Sequence, residues 1–349
     1  RGGQLGLIVP SGIYTDKGTR QLRRLLLKNS QWRWLYGFEN RRLIFDIHIR
    51  FKFCVLIAEK GGETTSIRAS FMRRDLDDWR DARATLNYSA ALIHMLSPKS
   101  LGLLEIQASQ DLEVLTKLYK RGSSFDDQGP MGWAIRYATE FHMTNDSHAF
   151  VARDQAEKRG FRSDIYGRWV DPSGEIFLPL YEGRMIDQFD FSAKAWISGH
   201  GRRALWRHIP WADKQLKPHY LVSPSQTPNK RSDQRDGAMD LSDDKIIFMA
   251  VGSAINKRSM FATIVRDVPC GNSVPVLRVR DQAVGLLGLV AVMNSFVFDF
   301  ALRAKLVGQN LNYFVISEIP LIRPSLITPS LLVIVAKLSL THLSFAPTW

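Results

Sequence analysis

"LGLIVPSGIYTDKGTRQLRRLLL", residues 5–27, decides how the fold is read. Leu5–Val9 is a short, nearly all-apolar run closed by Pro10-Ser11-Gly12. That is the composition of a strand covered on both faces in a parallel sheet, because a half-exposed strand alternates polar and apolar residues. Beyond the turn, Thr15 is placed to cap a helix and Asp16 suits its positive end, with Leu22, Leu25 and Leu26 on one face and Arg20, Arg23 and Arg24 around it. This is half of a βα unit. A parallel sheet needs several such units, and only one stands here before the pattern changes. The stretch predicts the interior of an α/β sheet met midway, so the chain is expected to be the downstream part of a larger protein.

Working outward, "WRWLYGFEN" (32–40) and "IRFKFCVLIAEKGG" (49–62) are aromatic and β-branched and predict further strands, the second closing at Gly61-Gly62. Residues 1–62 form a sheet remnant on this reading, with twelve Lys or Arg against four acids. Residues 63–150 reverse that balance and are expected to connect through helices, since "DLDDWRDARATL" (75–86) and "QDLEVLTKLYKRG" (110–122) have helical spacing. Residues 151–325, with short apolar runs broken by Gly, Pro, Asn and Asp, predict a mixed α+β domain, and 326–349 a tail. The polar, proline-bearing stretch from Ser223 to Asp244 reads as a loop or flexible insert.

The 349 residues are 45% hydrophobic, enough for ordinary cores, and carry a formal net charge of +13, which favours phosphate-bearing partners. The two cysteines, Cys54 and Cys270, stand far apart without metal-ligand spacing, which argues against a zinc site or a disulfide framework and suits a reducing cytoplasm. Val284–Phe298 is the most apolar stretch. It is shorter than the roughly 20 residues a bilayer demands, and it reads as a core helix rather than a membrane anchor.

Chemistry is concentrated in "KAWISGHGRRALWRHIPWADKQLKPHY" (194–220), which holds six Lys or Arg and one acid among Trp196, Trp206, Trp211, His200 and His208. Cations that neutralise phosphates beside rings that stack on bases are the makings of a nucleic-acid groove; a solvated basic face over buried tryptophans is the plainer alternative. His200, His208 and His219 lack the spacing of metal ligands, so no metal site is expected. In "HMTNDSHAF" (142–150), Thr144, Asn145, Asp146 and Ser147 are either a turn satisfying its own backbone or hydrogen-bonding groups offered to a ligand. Glu182, Asp187 and Asp190 in "LYEGRMIDQFDF" (180–191) read as structural carboxylates. Phosphate-loop, dinucleotide-binding and nucleophile-elbow motifs are missing from the sequence.

In order along the chain, "GGQLGLIVPSGIYTDKGTRQLRRLLL", "LYGFENRRLIFDIHIRFKFCVLIAEKGG", "FHMTNDSHAF", "FLPLYEGRMIDQFDF", "INKRSMFATIVRDVPCGNSVPVL" and "LLGLVAVMNSFVFDFALRAKLVGQNLNYFVISEIPLIRP" resemble the large adenine-specific DNA methyltransferases of restriction-modification systems, the Eco57I-like group. The resemblance implies an α/β partial Rossmann-like methyltransferase sheet followed by a mixed α+β target-recognition domain. It implies double-stranded DNA as partner and S-adenosylmethionine as cofactor, bound mainly by an upstream half that also carries the catalytic loop, so that no catalytic or cofactor residue is assigned in this chain. The alternative is a non-catalytic DNA-binding specificity protein acting with a separate methylase chain. By resemblance, Thr144, Asn145, Asp146 and Ser147 sit near the junction with the recognition domain, and Asn256 and Arg258 match polar positions within it. Arg202, Arg203, Arg207, Lys214 and Lys217 are the expected phosphate contacts, with Trp206 packing or stacking beside them.

Overall fold

The structure is a computed structural model that describes residues 2–80, 85–226, 244–254, 256–279, 282–306 and 308–348. The chain forms two units, one of Arg1–Ser124, Arg303–Val307 and Phe314–Pro320, the other of Phe125–Leu302, Gly308–Tyr313 and Leu321–Trp349.

The aromatic and β-branched runs of the first unit build a five-stranded sheet in the order β1-β3-β2-β4-β5, from β1 (Gln4–Pro10), β2 (Ser30–Glu39), β3 (Lys52–Lys60), β4 (Ser66–Arg73) and β5 (Leu86–Ser89). β3 lies between β1 and β2 and is antiparallel to both, so β1 and β2 run the same way. They are joined by the one-turn helix α1 (Gly12–Thr15) and by α2 (Arg20–Asn29), which completes the βα unit as a crossover with an antiparallel strand inserted. The parallel pair is β2 with β4. Gly61 and Gly62, at φ +90° and +74°, close β3 in a conformation that side chains resist.

Two expectations for the opening stretch are corrected. β1 is an edge strand rather than an interior one: only β3 pairs with it among the described residues, and Leu5, Leu7 and Ile8 are 43%, 38% and 61% exposed. An all-apolar run meets the composition of a doubly covered strand, but coverage needs neighbours that composition cannot supply. The helix is also turned differently, since Leu22 and Leu25 are exposed while Leu26, Leu27 and Arg23 are buried. Arg23 is tolerated there because its guanidinium donates to the carbonyls of Ile13, Asp16 and Ser100 and to Thr19 Oγ1 at 2.6–3.2 Å. Burial pulls its pKa down to about 10 against the raising influence of Asp16 and Glu318. Thr15 ends α1, and Thr19 precedes α2 without a side-chain capping bond.

Residues 75–86, expected to be helical, instead make a 3-10 turn at Leu76–Arg80 and enter β5 at Leu86, with 81–84 outside the described residues. The second expected helix is present as α4 (Ser109–Arg121), after α3 (Ala90–Leu96). The late segment returns to this unit through a buried ion pair: Lys305 Nζ lies 2.7 Å from Glu318 Oε2, and Glu318 also accepts from the Lys99 and Ser100 amides and from Ser100 Oγ. Cys54, in mid-β3, is fully buried, and desolvation pushes its thiol up to about 12.

In the second unit, β6 (Arg136–Ala138), β14 (Asp244–Phe248), β15 (Ala262–Arg266) and β16 (Val276–Arg278) pair in the order β15-β14-β16-β6. A second sheet runs β7-β13-β10-β9-β8, from β7 (Phe150–Ala152), β8 (Arg162–Ser163), β9 (Trp169–Val170), β10 (Ile176–Pro179) and β13 (Tyr220–Val222), with helix α5 (Arg153–Lys158) after β7. β11 (Lys194–Ser198) and β12 (Leu205–His208) form a separate hairpin. Under it, Tyr181, Met185, Ile186, Phe191 and Leu216 pack on Ile247, Val265 and Val276 from the first sheet. Fully buried Cys270 belongs to the same cluster, its thiol likewise pushed up to about 12 by burial. Of the segment from Ser223 to Asp244, 227–243 lie outside the described residues.

The apolar stretch from Val284 is a core helix as expected, α6 (Gln282–Met293), followed by α7 (Phe296–Lys305) at a 59° bend. No single helix among the described residues is long and apolar enough to cross a membrane. The junction holds the first sheet's edge: Asn294 exchanges two hydrogen bonds with the Ala262 backbone, and Asp299 Oδ1 accepts from the Ser259 and Met260 amides at 2.8 and 2.9 Å.

Candidate nucleic-acid interface

The hairpin β11–β12 carries most of the residues singled out for DNA contact. Its register sets Lys194 opposite His208, Ala195 opposite Arg207 and Trp196 opposite Trp206, with a bulge before Ser198. Cross-strand partners share a face, so the two tryptophans lie together and Arg207 faces the other way. Trp196 is buried and donates from Nε1 to the Gly199 carbonyl at 2.9 Å. Gly199 turns at φ +79°, and a Cβ there would come within 2.6 Å of the Arg203 oxygen, so glycine is required in the hairpin loop.

The cations of this region divide by environment. Lys194, Arg203, Arg207 and Lys217 are exposed, and none forms an ion pair with a described residue. Lys214 instead turns inward, its Nζ 2.5 Å from Asp190 Oδ2 and 2.8 Å from the Ser192 carbonyl, with both side chains of the ion pair under 10% exposed. Its ammonium is committed inside the fold. Arg202 belongs to the turn between the strands, and its side chain lies outside the described residues.

Asp146 closes the 142–146 turn by accepting from the His142 amide at 2.7 Å, while its own amide donates to the His142 carbonyl. Thr144, Asn145 and Ser147 are exposed. The run is thus a turn that satisfies its own backbone, and Ser147 in addition lines a cavity. Asn256 sits in an exposed turn with its amide on the Ser253 carbonyl. Arg258 reaches the Asn294 carbonyl at 2.5 Å and lies over the Phe296 ring at 4.5 Å, which fixes the α6–α7 junction.

That cavity, of about 720 Å³, brings together residues scattered along the sequence: Ser147, Phe150, Glu182, Trp206, His219 and Tyr220 among them. His219 is held between rings, 4.5 Å from Trp196 and 3.8 Å from Tyr220, and its Nε2 shares a 3.1 Å hydrogen bond with His200 Nδ1. Glu182 Oε1 stands 3.6 Å from His219 Nδ1, beyond hydrogen-bond reach. It and Trp206 Nε1 are buried polar atoms without a hydrogen-bond partner. Sequence reading weighed Glu182 and the histidines singly and missed their assembly, because no spacing rule relates positions 182, 200 and 219. Among the described residues no group of three or more His, Cys, Asp or Glu could hold a metal ion.

No protein-family model and no curated protein matches the chain. Among solved structures it is similar to the nuclease-deletion mutant of the Type ISP restriction-modification enzyme LlaGI in complex with a DNA substrate mimic, at 12% identity and a TM-score of 0.44, over 98% of this chain and 30% of that one. It is also similar to the type IIG restriction endonuclease BpuSI, at 11% identity and a TM-score of 0.40, over 97% of this chain and 42% of that one. A third is the Type IIL restriction-modification enzyme MmeI in complex with DNA, at 9% identity and a TM-score of 0.39, over 83% and 35%. The chain spans less than half the length of each of the three.

Proposed function

We propose that this chain is the DNA-recognition portion of an adenine-specific DNA methyltransferase of a restriction-modification system. The single observation that carries the DNA-binding part is the set of exposed, unpaired cations, Lys194, Arg203, Arg207 and Lys217, on and beside a hairpin that also presents Trp206. Nothing intramolecular competes with phosphate for them, so each can release a counterion on binding. The restriction-modification part rests on the ordered resemblance of six sequence segments.

In this reading the first unit is the end of a Rossmann-like methyltransferase sheet. Its exposed β1 edge, apolar and unpaired on one side, is where a strand of the catalytic portion would add. The residues here do not make a site for S-adenosylmethionine: the turn after β1 passes through Pro10, which removes a backbone donor, and Asp16 Oδ2 occupies the space beside Gly12. No step of methyl transfer is therefore derived from this chain. Its own residues position the duplex, and the base to be modified must leave the stack to be reached by the rest of the enzyme.

The test is fluorescence anisotropy with a labelled duplex across a salt series. The expected result is an affinity that falls steeply and log-linearly with salt; an affinity independent of salt removes the DNA-binding reading. The methyltransferase part is checked with a protein carrying the upstream portion, by the appearance of methyladenine in duplex incubated with S-adenosylmethionine. Methylcytosine as the product would refute it.

A further inference from the structure

We propose that the cavity lined by Glu182 and Trp206 receives a single unpaired nucleobase, one that presents N–H donors on its pairing edge, guanine foremost. This rests on the DNA-binding reading of the hairpin, because Trp206 belongs both to that hairpin and to the cavity wall.

At about 720 Å³ the cavity falls in the size range of sites for small flat ligands. Its walls suit a heterocycle, with the rings of Phe150, Trp206 and Tyr220 and the thioethers of Met143 and Met249 offering stacking and dispersion surface. Two polar atoms on the same wall lack partners in a structure where nearly every buried polar group has one. Glu182 Oε1 is an acceptor and Trp206 Nε1 a donor. A carboxylate accepts best from adjacent N–H groups, and guanine offers two on its pairing edge beside a carbonyl that an indole N–H can reach. Thymine offers a single N–H, and an abasic site offers nothing.

The surroundings fit the same ligand. Arg184 lines the cavity and is exposed, placed to meet the phosphate that accompanies a base. His219, fixed by Trp196, Tyr220 and His200, sets the carboxylate's position without consuming Oε1. The cavity then serves as a holding site for a base displaced from the stack, coupled to the phosphate contacts of the hairpin through Trp206.

The experiment compares anisotropy titrations of the whole chain with three duplexes of one sequence: fully paired, with one extrahelical guanine, and with an abasic site at that position. The unsubstituted protein is expected to prefer the guanine bulge over the abasic duplex by at least about tenfold, the strength of a hydrogen bond to a buried charged group. Glu182→Gln and Trp206→Phe, both close in volume, should each reduce that preference to near unity while leaving the affinity for the paired duplex within twofold. Circular dichroism melts confirm that both variants fold. Equal affinity for the guanine-bulged and abasic duplexes overturns the proposal, as does a full preference surviving in Glu182→Gln, and in either case salt-dependent binding of the paired duplex leaves the DNA reading standing. Failure to bind any of the three removes both.

Discussion

Replacing Arg203, Arg207 and Lys217 together with alanine is the sharpest perturbation of the interface. These three are exposed and carry no ion pair with a described residue, so each contributes its full counterion release if it meets a phosphate. For duplex DNA the logarithm of the binding constant falls against the logarithm of salt with a slope of about −0.9 per contacted phosphate. Removing three contacts should therefore flatten the slope by up to about 2.7. The assay is anisotropy with one duplex between low and moderate salt, and thermal melts verify folding. Lys214→Ala is the internal control, because its ammonium is tied to Asp190 and should leave the slope unchanged. A triple variant whose slope stays within about 0.5 of the parent would refute the assignment of these cations to phosphate.

Lys214→Met should lower stability by about 3 kcal/mol in a denaturant titration, since it strands the buried Asp190 carboxylate; a change below about 0.5 kcal/mol would place the ion pair in solvent. Glu318 titrates below its ordinary value in the fold, because Lys305 and the Ser100 hydrogen bonds outweigh the raising effect of burial. Its contribution is present above the unfolded-state pKa and is lost as pH falls through the depressed folded value, so stability followed by denaturant from pH 7 downward should decline in that acid window. Glu318→Gln should shrink the decline, and an unchanged pH profile would exclude Glu318 as its source. Ile8→Lys, on the exposed edge strand, should reduce self-association in sedimentation velocity without altering the circular dichroism spectrum, and undiminished association would put the contact elsewhere.

Elements with strong local signals were legible from residues alone. α4 has its acid first and its bases last, β2 and β3 are aromatic and β-branched, and α6 is apolar on all sides and buried. What composition could not reveal is what lies next to an element. Leu5–Val9 reads as covered and is an edge, and Arg23 reads as solvent-facing and is buried in a cage of carbonyls supplied from as far away as Ser100. The interface follows the same division. The hairpin's cations and tryptophans cluster within 194–220, where a window finds them, but Lys214 is withdrawn by Asp190, a partner 24 residues earlier. The cavity draws Ser147, Glu182, Trp206 and His219 from three separate stretches, so only the packing of the second unit could assemble it.

The two cysteines give each unit its own internal reporter. Cys54 lies in the first unit and Cys270 in the second, both without solvent contact and both held as thiols by burial. Alkylating reagents act on thiolates, so neither side chain reacts until its own unit opens. Labelling rates resolved by peptide mass would then time the loosening of one half of the molecule independently of the other, with no engineered probe.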